Sequence, residues 1–442
     1  MPLTTSYKIL LVAPFGGSHF SVLENLASVL TDAGHSVLIT CPELGITSRY
    51  DLLQPAPGEG FTKEERLGIV GKCLKHIIAG QTEKGTIAYI PTDCRSGKWR
   101  TLLELSLPFL TSTHFTEAVR AAAPNLVLSD ELLIGPSATL AAALNKPLVC
   151  FSPWANHFRP RTFRGYPLLI SREPSVVWPD LVTSGWYVGG YLHALLCQRR
   201  LERWAREREG DANERVDLFM VNDISHFSYP HYIPPKVALV GGLHLLGGTP
   251  ALTPQWEGKA HQGMLVVLSM GSYTDPSWLP WFNTLLEGIV SSEAGHVIAK
   301  INSNSSNLIQ SEKITYTEWI PQKELLGSGK VSLFVSHCGQ NSRLEAAFYG
   351  VPILCIPLFG DQLMNAHTVK WRGFGEVLLK EELTAGRVKE MVDGMLGDPG
   401  KYRKVLDRAG DLYRRDPRCG RASFLFQIES LAELGASGGT CA

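Results

Sequence analysis

WIPQKELLGSGKVSLFVSHCGQNSRLEAAFYGVPILCIPLFGDQ, running from Trp319 to Gln362, is the stretch on which the architecture turns. Its centre, VSLFVSH at 331–337, is an apolar run of strand length. The small and polar residues Cys338, Gly339, Gln340, Asn341 and Ser342 follow as a turn, and a helix opens near Arg343. Gly350-Val351-Pro352 then stops the helix and starts another apolar run, ILCIP at 353–357. A strand, a turn, a helix and a second strand in that order are the repeating unit of a parallel sheet covered by helices, an α/β architecture.

The same alternation extends outward in both directions. MLVVLSM at 264–270 and VIAKI at 297–301 read as strands, with a helix near 280–291 between them. Toward the N-terminus, Lys8 to Ala13 is strand-like, and from Phe20 the positions Val22, Leu23, Leu26, Val29 and Leu30 keep helical spacing until Gly34. Ser36 to Cys41 gives a second strand, Leu126 to Leu128 another, and an Ala-rich helix near 138–144 leads to a strand at 147–151. Between about 240 and 263 the sequence VGGLHLLGGTPALTPQWEGKAHQG has no sustained period and is rich in Gly and Pro, as a linker is. The expected organisation is therefore two doubly wound domains, residues 1–240 and 263–415, joined by 241–262. Residues 416–442, with a helix over Arg421 to Leu434, are expected to return to the first domain. The stretch 45–110 yields almost no reading.

Composition bounds the function. At 442 residues, 44% hydrophobic and 19% charged, the chain has material for sizeable cores and lacks the signature of disorder. Forty-two basic against forty-two acidic residues cancel, so no global field recruits a nucleic acid or an anionic membrane. Nine cysteines without a C-x-x-C pair give neither a disulfide framework nor a zinc knuckle. The run KILLVAP is too short for a signal peptide. The longest uncharged apolar run, Ala346 to Gly360, contains two glycines and two prolines and falls short of the ~20 residues that cross a bilayer. No apolar anchor or basic tail follows Leu434. These readings predict a soluble chain in a reducing, cytoplasmic setting. The charge-dense segment Gln198 to Arg215 interleaves both signs at helical spacing and reads as a solvated helix face.

Two groups of residues carry chemistry. In the first, a strand feeding a helix through the Cys338–Ser342 turn aims unpaired backbone N–H groups and the positive helix end outward, which suits a phosphate. His337, Asn341 and Ser342 add side-chain donors, and Glu345, a turn further on, suits a ribose diol. Taken singly each has a plainer reading: Asn341 or Ser342 as an N-cap, Glu345 as an acid matching the helix dipole, Trp319 as a packed aromatic. The joint arrangement favours a nucleotide. In the second group, His19 follows the first strand across Pro14-Phe15-Gly16-Gly17-Ser18, and Asp130 closes the strand from Leu126. If those strands are neighbours, both reach the edge of a doubly wound sheet where ligands collect. A carboxylate that fixes a histidine tautomer and stabilises its imidazolium makes a base dyad.

The segment from Trp319 to Gln362 resembles the donor-binding signature of the family 1 UDP-glycosyltransferases. It is 44 residues long, like the plant version of that box, and keeps Trp319, Pro321, Gln322, the HCG-x-NS-x-LE run, Gly350-Val351-Pro352 and Asp361-Gln362. The early GGSH and the FGDQ ending look closer to animal and bacterial branches. The resemblance implies a GT-B fold, two Rossmann-like domains facing across a cleft. It implies Trp319 stacking on uracil, the backbone of Ile320 at the base edge, and Gln322 and Glu345 on the ribose. His337, Gly339, Asn341 and Ser342 would hold the diphosphate, with Gly271 and Ser272 of the MGS turn as a further contact, and Asp361 and Gln362 would bind the sugar. Gln340 stands where plant members usually carry Trp, and Ser328 where they carry His, which leaves the donor sugar open. His19 and Asp130 fit the family's general base and its partner acid.

The function so implied is an inverting transfer of a hexose, glucose by analogy, from a UDP-sugar to a hydroxyl of a small lipophilic or phenolic acceptor, with no metal and no further cofactor. Phe151, Trp154, Phe158 and Phe163 follow a strand end and read equally as the aromatic lining of an acceptor pocket or as residues that pack a loop. A sterol or polyketide acceptor, or a nucleotide-sugar-binding protein without turnover, are the alternatives. A nicotinamide-dependent oxidoreductase is disfavoured, since neither glycine turn reads G-x-G-x-x-G.

Overall fold

The computed structural model describes residues 5–56, 58–66, 105–106, 108–152, 215–228, 235–242, 245, 249, 251–260, 263–272, 274, 278–301, 307–358 and 361–437. Two sheets organise them. The first contains β1 (Lys8–Val12), β2 (Ser36–Thr40), β3 (Asp51–Leu53), β4 (Leu126–Asp130), β5 (Leu148–Ser152), β6 (Leu218–Val221) and β7 (Val237–Leu239), in the order β3-β2-β1-β4-β5-β6-β7. The second contains β8 (Leu265–Ser269), β9 (His296–Lys300), β10 (Ile314–Thr317), β11 (Val331–Ser336), β12 (Ile353–Cys355) and β13 (Gly375–Val377), in the order β10-β9-β8-β11-β12-β13. Every pairing in both sheets is parallel. This is the α/β, doubly wound architecture that the alternation predicts.

The helices are α1 (Ser18–Asp32), α2 (Thr113–Ala122), α3 (Ile134–Leu144), α4 (Pro254–Lys259), α5 (Phe282–Val290), α6 (Gln322–Gly327), α7 (Gln340–Phe348), α8 (Gln362–Arg372), α9 (Ala385–Gly397), α10 (Pro399–Arg415) and α11 (Gly420–Ala436). They cover both faces of the sheets, so central strands are apolar throughout rather than alternating. In β1, Ile9 and Leu11 enter one core layer while Leu10 and Val12 enter the other.

Helix starts differ from the spacing-based expectation by a few residues. α1 begins at Ser18 behind Gly17, whose φ of 79° only glycine adopts freely, so His19 sits in the first helical turn rather than in a loop. α7 begins at Gln340, three residues before Arg343. In both cases the opening residues are polar and add nothing to an apolar period. β3, a three-residue edge strand, lies in the stretch that the sequence left silent.

Apolar contacts in both directions tie the halves together. Ile224 and Phe227 follow β6 of the first sheet yet are fully buried in the core of the second, where Phe227 meets Phe374 edge-on at 5.8 Å. In the opposite direction, α11 packs Phe424, Ile428 and Ala432 into the core of the first sheet. His35 Nδ1 accepts from Tyr7 N–H at 3.3 Å, so its Nε2–H donates to Glu429 of α11 at 3.1 Å. Lys146 Nζ donates to the Gly435 carbonyl at 2.5 Å. Gly435 lies so close to Asn125 that a Cβ there would fall 2.0 Å from the Asn125 carbonyl oxygen. Phe424→Ala, which empties a fully buried position between α11 and the first sheet, is expected to cost about 3–5 kcal/mol in chemical denaturation.

Candidate active site

In a doubly wound sheet the strand order reverses at one point, and the crevice there lies beyond the strand C-termini. In the first sheet the reversal falls between β1 and β4, which pair with Val12 opposite Ser129. His19 follows β1 and Asp130 ends β4, and the topology brings them together: His19 Nδ1 lies 2.7 Å from Asp130 Oδ2. Asp130 Oδ1 accepts from Leu132 N–H at 3.0 Å, which holds the carboxylate in place. With Nδ1–H donated to the carboxylate, the ring's lone pair resides on Nε2. Phe15 packs edge-on against the ring at 4.9 Å. The loop bearing Phe15 is pinned beneath: Gly16 N–H donates to buried Glu43 at 2.6 Å, and Glu43 also accepts from Arg66 Nε at 2.9 Å. Glu43 and Arg66 escape sequence reasoning because their pairing depends on the 45–110 stretch, which has no legible period.

The second reversal falls between β8 and β11. Gly271 and Ser272 follow β8, while His337, Cys338 and Gly339 lead from β11 into α7. No side chain caps α7, whose N-cap is Gly339, so the N-cap readings of Asn341 and Ser342 do not apply. The His337 ring lies between two glycines: its Nε2 is 2.7 Å from where a Cβ on Gly271 would stand and 2.6 Å from one on Gly339. Loss of water contact, then the nearby Lys300 ammonium, push the His337 imidazole down to about 4, against a hydrogen bond to the Ser269 backbone that raises it. The ring is therefore neutral near pH 7.

Gln322, Ser342 and Glu345 converge as well. Gln322 Nε2 donates to Glu345 Oε2 at 2.6 Å and to Ser342 Oγ at 3.2 Å. Trp319, just past β10, is 71% exposed, so its indole face is open to a ligand; Ile320 beside it is buried. Asp361, whose carboxyl is raised by desolvation, accepts from Asn365 Nδ2 at 2.8 Å. Gln362 turns its amide oxygen to Leu358 N–H at 2.8 Å. Asn341 Oδ1 accepts from Asn222 Nδ2 at 2.8 Å, a contact from the other sheet.

Other expected positions fall elsewhere. Phe151, expected on an acceptor-pocket wall, is fully buried in β5 beside Asp130 and packs the first core. Trp154, Phe158, Phe163 and nearly all of the charged segment 198–215 lie outside the described residues. Gln340 directs its amide to the Asn222 carbonyl at 2.6 Å instead of presenting it at the helix end. Cys338 and Cys355 form a disulfide, although the cysteine spacing suggests no disulfide framework. Adjacency of β11 and β12 puts their Cα atoms 5.2 Å apart across a helix crossover, which spacing in the sequence does not reveal. Lys300 is a further residue missed: it ends β9 and donates to the Gly271 carbonyl at 3.2 Å. A lone Lys closing an apolar strand at the C-terminal edge is the signal that would have found it.

Comparison with known proteins identifies the family and the fold. The family described as "UDP-glucoronosyl and UDP-glucosyl transferase" matches residues 8–418. UDP-glucuronosyltransferase 1A3 of Rattus norvegicus is 24% identical over 94% of the chain and 81% of its own length. UDP-glucuronosyltransferase 3A2 of Homo sapiens is 23% identical over 98% and 86%. Among solved structures, a UDP-glucosyltransferase from Polygonum tinctorium capable of glucosylating indoxyl superposes with a TM-score of 0.66 at 14% identity, covering 97% of this chain and 99% of that one. A spinosyn forosaminyltransferase gives 0.66 at 16% identity, with 97% and 100% covered. The fold is thus that of the GT-B glycosyltransferases. The chain belongs to family 1 of the UDP-glycosyltransferases, enzymes that take a sugar from a UDP-sugar donor to a small-molecule acceptor. Among the described residues no helix is long and apolar enough to cross a membrane.

The lowered His337 value has a sign. Between the ordinary histidine pKa of about 6.5 and about 4, the unfolded chain binds a proton that the folded one does not, so stability falls as pH drops through that window. The slope from this group is up to about 1.4 kcal/mol per pH unit. His337→Gln is expected to remove that contribution, read as a smaller stability loss from pH 6.5 to 4 than wild type shows in urea titrations.

Proposed function

We propose that this enzyme transfers a hexose, glucose before others, from UDP to a hydroxyl of a small phenolic or lipophilic acceptor with inversion at the anomeric carbon. The observation that carries the reading is the 2.7 Å contact between His19 and Asp130 at the switch point of the first sheet. In the reaction, His19 Nε2 takes the acceptor's hydroxyl proton as the oxygen attacks the anomeric carbon. The bond from that carbon to the diphosphate oxygen breaks with its electron pair, giving a β-glycoside and UDP. Asp130 keeps Nδ1 protonated and stabilises the imidazolium, a general-base contribution of roughly 10²- to 10⁴-fold.

On the donor side Trp319 is proposed to stack on uracil, with the Ile320 backbone at the base edge and Gln322 and Glu345 on the ribose. The diphosphate would lie against Gly271, Ser272, His337, Gly339, Asn341 and Ser342, at the N-terminus of α7. Free N–H groups there stabilise charge on the leaving group, a term that single-donor removals elsewhere put at about 3–4 kcal/mol. Neutral His337 contributes a hydrogen-bonding ring rather than a charge. Asp361 and Gln362 are proposed to meet the sugar hydroxyls. With these groups carrying the leaving-group charge the reaction is proposed to need no metal, so EDTA should leave the rate unchanged. The glucuronosyltransferases among the relatives make UDP-glucuronic acid the second donor to try.

Purified protein should release UDP from UDP-glucose, tested beside UDP-glucuronic acid and UDP-galactose, only when a phenol such as 4-nitrophenol is present. His19→Ala should lower kcat by roughly 10²- to 10⁴-fold while the Kd for UDP, measured by calorimetry, stays within about twofold. Unchanged turnover in this variant, or parallel loss of turnover and UDP affinity, would remove the assigned base.

A further inference from the structure

The N-terminal turn of α7 is held from two sides. Its own domain grips Ser342 and Glu345 through Gln322. The first domain grips the other face through the segment that follows β6. Arg343, 1% exposed, donates from Nη2 to Asp223 Oδ1 at 2.6 Å and from Nη1 to the Phe227 carbonyl at 2.8 Å. Ser228 Oγ bridges the two, accepting from Arg343 at 3.2 Å and lying 2.5 Å from Asp223 Oδ1. Gln340, one turn earlier on the same helix face, adds bonds to the Asn222 carbonyl and to Asp223. From the neighbouring helix, Arg372 donates to the Ser225 and Ser228 carbonyls.

Such a pair is an expensive way to gain stability alone. Taking both charges out of water costs several kcal/mol per ion, and a well-packed apolar pair of similar volume often does as well. What a planar guanidinium adds is fixed direction, because its fork binds two acceptors at set angles. Here those acceptors belong to a segment continuous with β6, and β6 is two strands from Asp130 in the same sheet.

We propose that Asp223 and Arg343 are positioning residues for sugar transfer, locking the diphosphate end of α7 to the sheet that carries His19 and Asp130. The proposal rests on the transferase reading above and adds the coupling that sets the distance from acceptor oxygen to anomeric carbon. Displacement by about 1 Å at this junction is worth roughly 100-fold in rate.

The test compares Asp223→Asn and Arg343→Lys with wild type, using UDP-glucose and 4-nitrophenol. Each variant should lower kcat about 10- to 100-fold, leave the Kd for UDP within about threefold, and raise the share of UDP released by hydrolysis relative to glycoside formed. Lysine fails because one ammonium cannot reproduce the fork. A lower Tm with kcat per folded molecule and the hydrolysis share both unchanged would overturn the proposal, since a purely structural pair moves neither. Should both variants fail to fold, Ser228→Ala decides by the same two readouts: a kcat loss of about threefold or more with a raised hydrolysis share supports the pair, and wild-type values of both overturn it. Wild-type protein that turns over no UDP-sugar sinks the transferase reading and this one together; active wild type with unaltered variants sinks only this one.

Discussion

Parallel pairing is the constraint from which the rest follows. Strands that all run one way end at one edge, so whatever follows each strand in sequence gathers along a single line. In the first sheet that line holds His19 and Asp130, residues 111 apart in the chain and 2.7 Å apart in space. In the second it holds Gly271, Lys300 and Trp319 at the ends of β8, β9 and β10, and His337 with the start of α7 after β11. A reversal of strand order then opens a crevice at one place in each sheet. His19 and Asp130 lie at the first of these places, and Gly271, His337 and the start of α7 at the second.

The two edges gain common purpose only through the junction between them. Ile224 and Phe227 leave the first sheet and enter the second core, while α11 leaves the second domain and closes the first. Each domain thus completes the other's packing, and the buried Asp223–Arg343 pair adds direction to what the apolar contacts supply in free energy. The Asp223 carboxyl, despite full removal from water that alone would raise it, is held below the usual carboxylate range by Arg343 and by hydrogen bonds from Ser228 and Ile224. At the neighbouring turn after β11 the charge balance differs: His337 is neutral and Lys300 is depressed by burial. Helix-end N–H groups and neutral side chains dominate that cradle.

Much of this was legible locally. Apolar runs such as LVVLS at β8 and VSLFVS at β11 are buried on both faces, so their composition reports their position directly. The residues of the 331–348 segment were legible too, because a strand, a glycine turn and a helix N-terminus are contiguous in sequence. Helix starts were less so: Ser18-His19 and Gln340-Asn341-Ser342 are helical but polar, and an apolar period cannot include them. The Cys338–Cys355 bond, the Glu43–Arg66 pair and the burial of Phe151 were not legible, since each depends on which strands become neighbours.

Local sequence sets the kind of element at each position, the α/β class and the identity of the groups at the strand ends, all properties of residues close together in the chain. Partnership, by contrast, arises with the fold: His19 with Asp130, Gln322 with Glu345, Arg343 with Asp223, Asn341 with Asn222. These contacts span between 23 and 120 residues. Their existence depends on strand order and on how one domain's loop enters the other's core, and those are set by packing over the whole molecule rather than by any local pattern.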